Sequence, residues 1–211
     1  MNAVRTRAKE AMPTFYLTLI SIIGSLAIVY LLTTLQIERL FGSAVDIVYW
    51  LQATATLQLI LLMWHEYVMG TVFFKWVIGY IDSMVPFAFG LTLFATIHLI
   101  NRDVTMWLFA ASVFASIACL AYINQYWKAR REPENKAVLD LITFHSVVIA
   151  FSLVTSILFL LAGTALMKLG SSRVMAVAIT GSANLVCMAF SLVTFFLRRA
   201  ALNPEPAKTV T

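Results

Sequence analysis

A chain of 211 residues that is 61% hydrophobic and 12% charged, with a mean hydropathy of +0.88, is not a water-soluble domain, in which about a quarter of the residues carry charge. At about 20 apolar residues per membrane-spanning helix, this length accommodates roughly six crossings and excludes a separate catalytic domain. The formal charge of +5 comes from basic residues at the ends of apolar runs, where they set orientation, so it does not point to nucleic acid.

Apolar runs follow one another at about 14–35, 45–65, 71–99, 104–127, 138–167 and 174–197. Each is long enough to cross a bilayer as a helix, the form that satisfies its own backbone groups in lipid. The expectation is an all-α polytopic transmembrane bundle of about six spans, a single integral membrane domain over residues 1–211. The second and third runs are divided only by EYVMG (66–70), read as a short turn, which leaves a five-span alternative with a re-entrant piece. INRD (100–103) is a second turn, and KARREPENKA (128–137) is a charged surface loop.

With six spans, one side receives Arg5, Arg7, Lys9, Lys75, Lys128, Arg130, Arg131, Lys136, Arg198, Arg199 and Lys208, and the other only Arg39, Arg102, Lys168 and Arg173. Eleven against four places both termini in the cytoplasm, with membrane lipid as the solvent and a bacterial cytoplasmic membrane as the expected location. The first run is too long for a signal-peptide core and lacks a small-residue cleavage site, so it is read as a retained helix.

Small and hydroxyl residues recur at helical spacing. Thr14, Thr18, Ser21 and Ser25 share a face of the first span, as do Thr54, Gln58 and His65 in the second. Ser112 and Ser116 do so in the fourth, His145, Ser152, Ser156 and Gly163 in the fifth, and Gly181, Asn184 and Ser191 in the sixth. Such stripes predict inward faces with close helix approach. Trp50, Trp64, Trp76, Trp107 and Trp127 lie near span ends, the pattern of an aromatic belt. Cys119 and Cys187 fall in apolar surroundings and read as packing residues.

The third span differs from the rest. Lys75, Gly79, Asp82, Pro86 and Gly90 fall on one face, with Gly79, Pro86 and Gly90 as a deformable hinge. Pro86 cannot donate to the carbonyl of Asp82, four residues earlier, which places a free carbonyl beside a carboxyl group. Counted along the helices, Asp82 and His145 both lie on the order of 10–16 Å into the membrane. Asp82, His145, Gln58 and Asn184 are therefore the expected polar residues of an ion or proton pathway, with histidine as the titratable partner. His65, Glu66 and Lys75 are expected at the interface, Lys75 snorkelling to the headgroups.

No HExxH, Walker, nucleophile-elbow or dinucleotide motif occurs, so no metal site, cofactor or enzymatic activity is assigned. The six short-looped spans, Trp64-His65 closing the second span and Pro86-Phe87 in the third resemble the lysosomal and bacterial six-helix potassium channels. That family carries a Phe-Ser-Asp or Phe-Ser-Asn motif after an arginine in its first helix. TFYLTLISIIGSLAIVYLL (14–32) lacks it, so the resemblance implies architecture and no site residue carries over.

The function expected is ion or proton translocation through the bundle, by a homo-oligomer or together with other membrane subunits. The alternatives are a non-catalytic accessory subunit of a larger membrane complex and an intramembrane haem- or quinone-binding subunit.

Overall fold

Among the described residues six helices follow one another: α1 (Asn2–Thr34), α2 (Ile47–Phe73), α3 (Tyr80–His98), α4 (Val104–Arg131), α5 (Asp140–Leu169) and α6 (Arg173–Leu202). This computed structural model describes residues 2–35, 47–132, 135, 140–170 and 172–202, apart from the side chains of residues 2, 4, 5, 140–145 and 197–202. All six helices are long and apolar enough to cross a membrane. Their outer faces present Leu26, Leu61, Leu91, Leu158 and Leu185, each about half exposed or more, a surface that needs lipid around it. The molecule is a multi-pass integral membrane protein.

The helices close into a ring in the order α1, α2, α6, α5, α4, α3 and back to α1, with α2 also touching α3. Alternating crossings bring the start of α1 and the end of α6 to one end, called here the termini end. The core is a continuous apolar cluster running from Met12 and Tyr16 through Leu59, Ile60 and Leu93 to Trp107.

The second connection is not where the sequence places it. α2 continues through EYVMG to Phe73, and the chain leaves the helix over residues 74–79. A glycine and a charged pair do not end a helix when both are accommodated by packing. Gly70 and Glu66 are buried, and a Cβ at Gly70 would sit 3.6 Å from the Gln125 amide oxygen. What breaks the helix lies far away in sequence. The Lys75 N–H donates to Asn135 Oδ1 (3.1 Å), and Asn135 Nδ2 donates to the Lys75 carbonyl (2.9 Å) and to that of Ala129 (3.0 Å). One amide side chain takes both backbone groups of Lys75 out of a helical ladder and ties them to the end of α4.

Two other expectations change with this geometry. Thr14, Thr18, Ser21 and Ser25 are exposed, and α1 buries Met12, Tyr16, Ile20, Ile23, Ala27 and Leu31 instead. Hydroxyls do not compel an inward face, because they can bond to their own helix, as Thr92 does to Ala88. Trp76 and Trp107 belong to the core, not to an aromatic belt; they are 2% and 0% exposed. The stripes on α4 and α5 do meet: Ser112 Oγ donates to the Ser156 carbonyl (2.9 Å), Ser156 Oγ to the Ser112 carbonyl (3.1 Å), and Ser116 and Ser156 hydroxyls lie 2.7 Å apart. Cys119 and Cys187 are buried and unbridged.

Candidate functional site

α3 begins at Tyr80, so Asp82 occupies its first turn, at the termini end, rather than mid-depth in a longer helix. Lys75 is exposed in the connection, and Gly79 is the residue that caps α3, with an extended backbone (φ −109°, ψ 172°). The expected common face of Lys75, Gly79 and Asp82 therefore does not form. Pro86 remains inside α3, and Gly90 lies where a Cβ would be 3.3 Å from Ile23 of α1.

Asp82 is 3% exposed and fully engaged. Its Oδ2 accepts the Gly79 N–H (2.7 Å) and pairs with Lys128 Nζ, while Oδ1 accepts from Asn124 Nδ2 (2.6 Å). Asn124 and Lys128 lie four residues apart and so share one face of α4. A carboxylate also suits the first turn of a helix, where the macrodipole is positive. Gly79 leaves the ammonium room, since a Cβ there would approach Lys128 Nζ to 2.9 Å.

The pair is set in an aromatic wall. A cavity of about 10 Å³ beside Asp82 is lined by Tyr16, Tyr67, Trp76, Asn124 and Gln125, close to the 10–15 Å³ or so that one water needs. Tyr16 packs against Tyr67 and Trp76 with ring centroids 5.8 and 6.2 Å away. Tyr67, Ala121 and Gln125 also line a second, mostly apolar cavity of about 30 Å³ that receives Glu66 and ends at Phe89 and Phe114. Those two rings lie 4.9 Å apart and close the polar region toward Leu93.

The other residues expected with Asp82 are elsewhere. Gln58 is half-buried on α2, about 20 Å from that helix's end at 1.5 Å per residue; its Oε1 makes no hydrogen bond among the described residues. Asn184 staples α6 to the far part of α2: its Nδ2 donates to the Leu51 carbonyl (2.7 Å) and the Thr180 carbonyl (2.9 Å), and its Oδ1 accepts from Thr54 (2.8 Å). The His145 side chain lies outside the described residues. His65 and Glu66 stand within α2 and not in a turn; His65 is half-buried and Glu66 is 5% exposed.

The partners of Asp82 were present in the sequence under other readings. Lys128 opens a basic run that looks topological, and Asn124 is an uncharged residue near the end of a span. Their four-residue spacing was the available signal. Among the described residues no three His, Cys, Asp or Glu side chains converge as metal ligands.

Among the described residues, the interior of the opposite end is polar without charge. Gln52 and Thr56 of α2 are 0% exposed. The Asn101 N–H donates to Gln52 Oε1 (3.1 Å), Trp107 Nε1 donates to Thr56 Oγ1 (3.1 Å), and Thr56 Oγ1 donates to the Gln52 carbonyl (2.7 Å). Together these fix the turn between α3 and α4, where Asn101 has a left-handed backbone (φ 61°).

Fold and site together define a membrane protein whose described residues form six spanning helices, with Asp82 paired to Lys128 beneath a helix break and a second pair, Lys9 with Glu132 (2.7 Å), at the same end. Protein-family models, curated proteins and solved structures give no match to the chain.

Proposed function

We propose that the protein moves a proton or small cation across its membrane, with Asp82 as the ionisable site and Lys128 as the internal cation that occupies it at rest. The observation that carries this reading is a carboxylate 3% exposed and paired with Lys128, with a second buried carboxylate, Glu66, on the neighbouring α2. Ionisable groups inside membrane bundles are costly and generally belong to ion or proton paths. A small cavity lined by Asn124 and Gln125 adjoins that carboxylate, a second, mostly apolar cavity containing Glu66 continues inward from it, and the Gln52, Thr56 and Asn101 cluster supplies polar groups at the other end. Phe89 and Phe114 separate the two ends, so transport requires their packing to open and is of the alternating kind, not a standing pore. The charge asymmetry supports a cytoplasmic Asp82 end.

In proteoliposomes the wild-type protein is expected to carry a pH-dependent proton or cation flux, and Asp82→Asn to remove the pH dependence. Flux unchanged in Asp82→Asn overturns the proposal.

A second reading has its own observation. Every Asp82 oxygen is already bonded to Lys128, Asn124 or Gly79, as in a staple that holds an accessory subunit's broken helix in place. It predicts no flux from the purified protein and co-purification with other membrane chains.

A further inference from the structure

At the end opposite Asp82, α1 and α3 diverge and leave an open groove of about 690 Å³, with Leu26, Val29, Phe94 and Ala95 along it and Tyr30 and His98 at its head. Arg102, just past α3, reaches back to the same place. Arg102 Nη1 lies 2.9 Å from His98 Nε2, and His98 Nδ1 lies 3.2 Å from Tyr30 Oη.

The donor count fixes the direction of this relay. A guanidinium can only donate, so His98 Nε2 accepts from Arg102; a neutral ring then carries its proton on Nδ1 and donates to Tyr30 Oη. The Tyr30 hydroxyl hydrogen is left to point outward, and Arg102 keeps its remaining N–H groups. The nearby carbonyls do not need them. The Leu99 N–H donates to the Ala95 and Thr96 carbonyls, Ile100 N–H to that of Ile97, and Arg102 and Asp103 N–H groups to that of Leu99. Asp103, the adjacent carboxylate, is engaged in capping α4 through the Met106 N–H (3.0 Å). Among the described residues, a guanidinium and a hydroxyl thus present donors with no other acceptor above an apolar channel at the membrane boundary.

We propose that this groove is a binding site for an anionic phospholipid, its phosphodiester held between Arg102 and Tyr30 and an acyl chain laid along Leu26, Val29, Phe94 and Ala95. Charge complementarity selects the occupant. Arg matches phosphate oxygens with paired donors, and basic groups at a membrane boundary favour anionic headgroups. His98 is a positioning residue that holds Arg102 and Tyr30 in register. The site is independent of any flux through Asp82.

The test is native mass spectrometry of the full chain in detergent after exchange against phosphatidylglycerol, phosphatidylcholine or inorganic phosphate. Wild type is expected to retain phosphatidylglycerol in preference to phosphatidylcholine, and Arg102→Gln to reduce that preference about fivefold, the worth of one basic residue near an anionic headgroup. Ala95→Trp, which leaves all the polar groups in place, is expected to displace the lipid by filling the channel; it is the variant to read if Arg102→Gln fails to fold. Equal retention of the two lipids by wild type, unchanged preference in a folded Arg102→Gln, or unchanged retention in Ala95→Trp would each overturn the proposal. Displacement of phosphatidylglycerol by inorganic phosphate would also overturn it, by assigning the donors to a free anion.

Discussion

The two ends of the bundle solve the same problem with different chemistry. Each closes a connection beside α3, and each must satisfy backbone groups where a helix stops inside an apolar surround. At the turn between α3 and α4 the buried work is done by neutral groups, Gln52, Thr56 and Trp107, reaching from α2 and α4, while the exposed carboxylate of Asp103 caps α4. At the break between α2 and α3 it is shared between a neutral amide, Asn135, and an ion pair, Asp82 with Lys128. Asn135 holds the break at Lys75, and Asp82 caps Gly79, a task an uncharged side chain can also perform. Asp103 does its capping exposed, whereas Asp82 is buried, so among the described residues the charge held inside the bundle at the Asp82 end exceeds what the architecture at the other end uses. That excess is the physical argument for a role beyond structure.

The comparison breaks most visibly at Lys128. Lys128→Met leaves Asp82 buried with neutral partners, Asn124, Gly79 and Tyr16, and an uncompensated buried charge costs about 3 kcal/mol. Unfolding in mixed micelles should show that loss, and Asp82→Asn added to Lys128→Met should recover most of it. Next in size is Gly163→Ala. A Cβ there meets Phe109 Cε1 at 2.7 Å, so α4 and α5 must part or the ring must move, at roughly 1–3 kcal/mol, measured in the same way. At the neutral end the effects are smaller. Trp107→Phe removes the donor to Thr56 and should cost about 1 kcal/mol; a loss as large as that of Lys128→Met would erase the contrast between the ends. Ser156→Ala, which dissolves the serine exchange between α4 and α5, should cost about 0.6 kcal/mol, the typical size of an interhelical hydrogen bond in a membrane.

The spans were legible because length and apolarity alone report a membrane helix, and the stripe of Ser152, Ser156 and Gly163 was legible because it meets another small-residue stripe on α4. The α2–α3 break was not. It depends on Asn135, 60 residues beyond Lys75 and past the end of α4, and no local pattern reports a side chain that arrives from so far along the chain. Misplacing that break by a few residues moved Asp82 from the first turn of a short helix to the middle of a long one. At mid-depth the sequence points to Gln58 and Asn184, which the fold sets apart from Asp82, and not to Lys128 near the end of α4. α1 misled for a different reason: its hydroxyl residues are small and regularly spaced, but its buried face is built from Tyr16, Ile20 and Leu31.

The most direct test of the central claim uses the double variant Asp82→Asn with Lys128→Met, reconstituted in proteoliposomes beside wild type. Neutralising both partners keeps the cap on Gly79 and removes the excess charge. The account predicts a protein within about 1 kcal/mol of wild-type stability whose proton or cation flux is lost. Wild-type flux in that stable double variant would contradict it.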